Sequence, residues 1–318
     1  MTGLAAPEVS VVIPVYNEEQ ALPALFARLY PALDGLGRSY EVVLVDDGSR
    51  DRSPALLHEQ FDLRPDVTRV VYLLTNFGQH MAVLAGFERS RGDVVVTLDA
   101  DLQNPPEEIA KLLDRMDEGY DYVGSYRRER RDSVFRCLAS RAMNRLRERL
   151  TRVRMTDHGC MLRAYSRSVV DTINQSKEIN TFVPALAYLY ARRPTEIEVR
   201  HDERAAGFSQ YSLTRLIQLN FDLITGFSVR PLQLFSTIGM AVSMGSVVLY
   251  VAVVLYYLFH SGFREALLHV WDRDVLEFFL IGVTLFGIGL ICEYIVRIYE
   301  QVRARPRYLV AAVLEKRD

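Results

Sequence analysis

From Pro231 to Phe263 the chain runs for 33 residues without one Asp, Glu, Lys or Arg, and no other feature constrains its folding as much. About 20 consecutive apolar residues are enough to cross the hydrocarbon of a bilayer. The run is therefore expected to place a first membrane span over Leu232–Phe259, with Tyr250, Tyr256 and Tyr257 partly at the interface. A second span is expected over Val275–Ile298. Only Phe278–Cys292 within it is free of charge, a length that a buried soluble helix would also fit, and Glu293 and Arg297, four apart, can pair near the end of the longer span. Arg303, Arg305 and Arg307 follow, whereas the connection Arg264–Asp274 sets Arg264 and Arg273 beside acids. Both ends of the pair are thus expected in the cytoplasm, joined by a short outer loop. Met1–Ser10 has neither a basic segment nor an apolar core, so no cleavable signal peptide is expected.

Ahead of that region, between Val9 and Tyr126, short β-branched runs alternate with amphipathic stretches of helix length, the pattern of a parallel sheet covered by helices. The spacing predicts strands over Val9–Pro14, Glu41–Asp46, Arg69–Leu74, Val94–Asp99 and Asp121–Tyr126. Helices are predicted over Leu22–Leu36, Ser53–Phe61, His80–Ser90 and Pro106–Glu118. In such sheets ligands sit beyond the carboxyl ends of the strands. Three of those ends carry polar residues: Pro14–Glu18, Asp46–Ser49 and Asp99–Gln103. Any one of them reads equally well as turn and capping chemistry. All three opening on one edge read as a site.

No glycines are spaced as in a Walker loop or a dinucleotide fingerprint, so a metal would have to take over the holding of phosphate. Asp99 and Asp101 stand two apart, which leans both side chains to one side of an extended segment with Gln103 following. Hard oxygen ligands with open positions suit Mg²⁺ or Mn²⁺ bridging a diphosphate. Glu107 and Glu108, after Pro105–Pro106, read as structural residues of a first helical turn.

Charge is unevenly spread. The formal net charge is -2, yet Arg127–Arg154 holds eleven Arg against Glu129, Asp132 and Glu148. From Phe135 onward apolar residues recur at three- and four-residue steps with arginines between them, which predicts a basic amphipathic helix lying on anionic headgroups or packed on the domain. Tyr211–Phe227 reads as a second helix with an apolar stripe, lying on a surface or packed in a core. The basic stretch lacks the interleaved aromatics of a base-stacking platform, so nucleic acid is not expected as a partner. Cys137, Cys160 and Cys292 are too scattered for a disulfide framework or a zinc site.

In order and spacing, Pro14–Glu18, Asp46–Ser49 and Asp99–Gln103 resemble the inverting family 2 glycosyltransferases of GT-A fold. Asn76–His80, the D-A-D-L-Q-N-P-P-E-E run Asp99–Glu108, Gly159–Tyr165 and Arg303–Tyr308 narrow the resemblance to the polyprenyl-phosphate glycosyltransferases, over about Val9–Val310. The resemblance implies an α/β, Rossmann-like GT-A catalytic domain with amphipathic interface helices and two C-terminal transmembrane helices. Residues 1–210 would form the cytoplasmic domain, 211–230 an interfacial helix, 231–300 the transmembrane pair and 301–318 a cytoplasmic tail. It further implies metal-dependent transfer of a sugar from a UDP-sugar to undecaprenyl phosphate at the inner face of a bacterial plasma membrane. The sugar would be 4-deoxy-4-formamido-L-arabinose for lipid A modification, with glucose or galacturonate as the alternative.

Carried over by position, the resemblance implies that Pro14, Tyr16, Glu18 and Asp47 line the uridine site. Asp99, Asp101 and Gln103 would hold Mg²⁺ or Mn²⁺ and the donor diphosphate. Asp157 matches the acidic position near the acceptor, and Arg204, Ser209 and Tyr211 match a loop that closes on the phosphates. Arg127 and Arg136 are the candidates for guiding the lipid phosphate. The chain departs from the family pattern at Gln210, where lysine is usual, which moves the expected phosphate contact toward Arg204. It departs again at His158, where tyrosine is usual. Membrane lipids are expected partners, and self-association is left open. A processive polysaccharide synthase is disfavoured, because its Gln-x-x-Arg-Trp motif is missing and the one Trp, Trp271, follows Leu267–Val270. Intact Asp99, Asp101, Gln103 and Asp157 speak against a scaffold built on a decayed transferase domain.

Overall fold

The computed structural model describes residues 6–127, 155–157, 159–176, 182–200, 273–303 and 306–316, with single helical positions between 235 and 259. The basic stretch after Arg127, the Tyr211–Phe227 helix and most of the first expected span lie outside them. The chain divides into two compact units, Met1–Leu213 with Arg305–Asp318, and Thr214–Ala304.

The first unit opens with the alternation that the sequence predicts. Strand β1 (Val9–Val15) leads to helix α1 (Leu22–Asp34), β2 (Tyr40–Asp46) to α2 (Ser53–Leu63) and β3 (Thr68–Leu73) to α3 (Gln79–Arg89). Strand β4 (Val94–Thr97) is followed by a single turn at Pro106–Glu108, α4 (Ile109–Asp117) and β5 (Tyr122–Arg127). Strands β1 and β2 are apolar on both faces: Val11, Val12, Ile13, Val42, Val43, Leu44 and Val45 are all fully buried, as parallel strands covered by helices on each side must be. Each such side chain contributes roughly 1.5–3 kcal/mol by leaving water. Strand β4 stops at Thr97, short of its expected end, so Asp99 stands outside the ladder on the turn that follows.

The sheet is larger than expected and it is mixed. Strands β6 (Arg163–Ser166), β7 (Pro194–Val199) and β8 (Val310–Leu314), with helices α5 (Arg167–Gln175) and α6 (Val183–Tyr190), complete an eight-stranded sheet in the order β7-β5-β6-β4-β1-β2-β3-β8. Strands β1, β2, β3 and β4 run parallel, and so do β5 and β7. Strand β6 runs antiparallel between β4 and β5. Because β6 occupies the place beside β4, the purely parallel arrangement predicted for β1 to β5 does not form. Strand β8, in the region expected as a tail, pairs antiparallel with β3, and Glu315 just beyond it bridges Arg69 at 3.2 Å.

The second unit is described mainly by helix α7 (Arg273–Arg303), 31 residues long, which contains the second expected span. Many of its large apolar side chains are exposed, including Leu285, Phe286, Ile288, Ile295 and Val302, while Leu290 is buried. Judged on described residues alone, no helix of the chain is long and apolar enough to cross a membrane.

Candidate functional site

The strand order turns back at β1, since β2 lies on one side of it and β4 on the other. At such a switch point the connections leave in opposite directions and open a crevice at the strands' carboxyl ends. The segments released there are Tyr16–Glu18 after β1 and Leu98–Gln103 after β4, with Asp46–Ser49 after β2 alongside.

The loops after β1 and β2 are sewn to one another through polar side chains. Asn17 N–H donates to Ser49 Oγ at 3.0 Å, and Arg50 N–H to Asn17 Oδ1 at 2.8 Å. Glu18 N–H donates to Ser53 Oγ at 2.8 Å. Gly48 has a φ of 69°, and a Cβ there would lie 2.6 Å from the Thr75 backbone; only glycine fits. Asp47 is 1% exposed and turns both oxygens on a neighbouring loop, accepting from the N–H groups of Phe77 (2.7 Å) and Gly78 (2.8 Å). Burial pushes the Asp46 and Asp47 carboxyls above the usual carboxylate range, for Asp47 against the opposing pull of those two amides. Pro14 lies within β1 opposite Val45, and Tyr16 beyond it is 44% exposed.

The loop after β4 is built differently. Asp99, Asp101 and Gln103 are each half-buried. Asp99 Oδ1 accepts from Gln79 Nε2 at 2.6 Å, and Asp101 Oδ1 accepts from the Gln103 N–H at 3.1 Å. Leu102 between them has a φ of 60°, a left-handed conformation that costs an L-residue roughly 1–2 kcal/mol. Among described residues the non-glycine positions with positive φ are Asn17 and Leu102. They stand after β1 and after β4, the two strands at the switch point; Asn enters the left-handed region readily, whereas Leu does so only under strain. Gln79, from the Asn76–His80 segment, has a direct place in this loop that its sequence position does not announce.

Asp157 is 6% exposed. Its Oδ1 accepts from the Gly159 N–H at 2.9 Å, and its backbone oxygen accepts from Nη2 of the fully buried Arg163 at 2.6 Å. Cys160 is a buried free thiol, pushed up by burial and in contact with Asn104 and Ser125, which makes it inert packing. His80, on the first turn of α3, packs edge-on against Phe182 with ring centroids 5.1 Å apart. Burial and the Arg163 charge lower its pKa to about 4, so the imidazole is neutral near pH 7. Glu107 pairs with Arg28 at 2.9 Å and Glu108 with Lys111 at 2.5 Å, both structural as expected. Arg127 ends β5, while Arg136, Arg204, Ser209 and Tyr211 lie outside the described residues.

Among described residues no three His, Cys, Asp or Glu side chains gather as a complete metal cage. Asp99, Asp101 and Gln103 are hard-oxygen side chains of the kind that Mg²⁺ accepts alongside water and substrate phosphate.

Residues 10–173 match the family model described as Glycosyl transferase family 2. The undecaprenyl-phosphate 4-deoxy-4-formamido-L-arabinose transferase of Pseudomonas aeruginosa (strain LESB58) is 49% identical over 312 residues, which span 96% of this chain and 90% of that protein. A protein of the same name from Pseudomonas paraeruginosa matches to the same extent. Among solved structures, glucosyl-3-phosphoglycerate synthase from Mycobacterium tuberculosis, in complex with Mn²⁺ and UDP-glucose, aligns with a TM-score of 0.46 at 22% identity, over 70% of this chain and 78% of that one.

Proposed function

The chain belongs to glycosyl transferase family 2 and is a glycosyltransferase, and on that footing we propose that it moves 4-deoxy-4-formamido-L-arabinose from its UDP conjugate to undecaprenyl phosphate. The sugar and acceptor are those named for relatives 49% identical along nearly the whole chain. The observation that carries the reading to this chain is the pair of acid-bearing loops released side by side by β1 and β4, the second held under strain at Leu102.

In this reading Pro14, Tyr16 and Glu18 line the uridine pocket, and Asp47 shapes its wall by fixing the Phe77–Gly78 backbone. Asp99, Asp101 and Gln103 face the diphosphate and would hold Mg²⁺ or Mn²⁺. Such an ion, when bound, neutralises charge on the departing UDP. Gln79 fixes the Asp99 rotamer through its amide. The attacking atom is an oxygen of the acceptor phosphate. It forms the new bond at the anomeric carbon as the bond to the UDP oxygen breaks, with inversion.

A phosphate monoester has a second pKa of about 6, so near neutral pH this nucleophile is largely ionised and needs little base strength. Asp157 therefore orients the acceptor and takes up the remaining proton of the minor protonated form. Arg127 and Arg136 guide the lipid phosphate, and Arg204, Ser209 and Tyr211 close over the donor.

The lipid acceptor places the work at a membrane. The 33-residue charge-free run, the exposed apolar side chains of α7 and the arginine-rich stretch after Arg127 support two spans and a basic surface on the cytoplasmic leaflet. The test is to offer the detergent-solubilised full chain UDP-4-deoxy-4-formamido-L-arabinose, UDP-glucose and UDP-galacturonate in turn with undecaprenyl phosphate. Lipid-linked product from the formamido sugar alone is expected. Product from UDP-glucose or UDP-galacturonate and none from the formamido sugar would overturn the donor assignment.

A further inference from the structure

Arg163 is a long cationic side chain that is fully buried in β6, and nothing in the proposed chemistry uses it. Burying a guanidinium costs several kcal/mol, and an apolar side chain of similar volume often serves a core equally well or better. A role in filling space does not account for it. Its contacts do. Nε donates to the Cys160 carbonyl at 2.7 Å, Nη2 to the Asp157 carbonyl at 2.6 Å, and Nη1 to the Tyr122 hydroxyl. The planar fork thus grips the backbone on both sides of the turn in which the Asp157 carboxylate accepts from Gly159. Only a group with several donors in fixed geometry can do this.

The neighbouring strands are arranged around that grip. On β5, Gly124 clears the space, since a Cβ there would meet Arg163 Nη1 at 3.1 Å. On β4, Thr97 is the register partner of Arg163, and Thr97 Oγ1 donates to the Met161 carbonyl at 2.5 Å, a third tie on the same segment. Thr97 is also the last residue of β4, two positions before Asp99. A short path of strand ladder and hydrogen bonds therefore runs from the backbone of Asp157 through Arg163 to the loop of Asp99 and Asp101.

We propose that Arg163, seconded by Tyr122, is a positioning residue that holds Asp157 at a fixed place relative to the Asp99–Gln103 loop, so that the acceptor phosphate is presented in line with the donor's anomeric carbon. The inference rests on the reading of Asp157 as the acceptor-side acid. Misplacing a reacting group by about 1 Å can cost on the order of 10²-fold in rate, and Arg163→Lys, which keeps the charge and loses the fork, falls in that range.

The test measures kcat for transfer to undecaprenyl phosphate, and UDP binding with Mg²⁺ present, for Arg163→Lys, Tyr122→Phe, Asp157→Asn and the two double variants in the full-length enzyme. The expected result is a fall in kcat of about 30-fold or more for Arg163→Lys and a few-fold for Tyr122→Phe, with UDP affinity within about twofold of wild type. In the Asp157→Asn background both effects shrink to less than about twofold, as expected of residues acting through one another. If Asp157→Asn is slow and the Arg163→Lys loss multiplies undiminished on top of it, the positioning role is overturned while the reading of Asp157 stands. If Asp157→Asn turns over at the wild-type rate, that reading fails and the inference with it. Should Arg163→Lys not fold, Tyr122→Phe carries the same comparison, and an unchanged kcat there also overturns the proposal.

Discussion

Asp46 and Asp47 close β2, and Asp99 and Asp101 follow β4, on either side of β1 at one edge of the same sheet. As residue types in a sequence the two pairs are alike. In the fold the first pair is buried, 4% and 1% exposed, with Asp47 committing both oxygens to backbone amides of a neighbouring loop, whereas the second is half-buried, accepts from the Gln79 side chain and the Gln103 amide, and is flanked by Leu102 at positive φ. A carboxylate that satisfies orphan amides is an architectural part, because removing it leaves those donors unpaired at about 1–3 kcal/mol each. Under the proposed function the half-buried second pair is the one that meets the donor diphosphate. The division of labour thus comes from burial and hydrogen-bond partners, which the residue type does not disclose.

The largest test of this contrast is Asp101→Asn. Charge neutralisation at a departing diphosphate is worth several kcal/mol, so turnover of the purified enzyme should fall by a factor on the order of 10³ with its thermal transition nearly unmoved. Undiminished turnover would put the second pair in the same architectural class as the first. Next comes Asp157→Asn. Acid–base assistance contributes typically about 10²–10⁴-fold, and an acceptor already ionised places this site near the low end, a loss of about 10²-fold. The residual rate should be pH-dependent in step with the acceptor phosphate rather than with the enzyme.

The mirror-image experiment is Asp47→Ala. Stability should drop by about 1–3 kcal/mol or more as the Phe77 and Gly78 amides lose their acceptor, read as a lowered Tm. Below the transition, turnover should fall less than about tenfold. A catalytic collapse with an unchanged Tm would reverse the assignment of the two pairs.

Much of this edge was open to sequence reasoning, and the boundary of what was legible has a physical origin. Strands β1 to β5 and helices α1 to α4 announce themselves because local periodicity and local burial coincide there. Strands β6, β7 and β8 do not. Arg163–Ser166 is four residues of mixed polarity, Pro194–Val199 begins with a proline and alternates with glutamates, and Val310–Leu314 follows a long helix. Their strand character comes from partners distant in the chain, such as Leu73 for Val310, and β-propensity is decided by such context. At the site, Asp99, Asp101 and Asp157 are visible as acids at strand ends or in a familiar motif. That Asp47 serves Phe77 and Gly78, that Gln79 steadies Asp99 and that Arg163 grips the Asp157 turn depend on contacts 6 to 31 positions apart, which no spacing rule supplies.

The smallest effect probes the premise beneath the comparison, that burial rather than residue type sets the charge state here. His80 stands one residue from Gln79, with a pKa lowered to about 4 by burial and by the Arg163 charge, against about 6.5 in an unfolded chain. Between those values the unfolded state binds a proton that the folded state refuses, so stability must decline as pH falls from about 6.5 and level off below about 4. Replacing His80 with Gln removes this one titration. Apparent Tm followed from pH 7 to pH 4 should therefore fall less steeply for His80→Gln than for wild type, whatever their offset at pH 7. Parallel slopes would mean that His80 titrates normally in the folded chain, and the wall beside Asp99 would then be wetter than the packing of His80 against Phe182 requires.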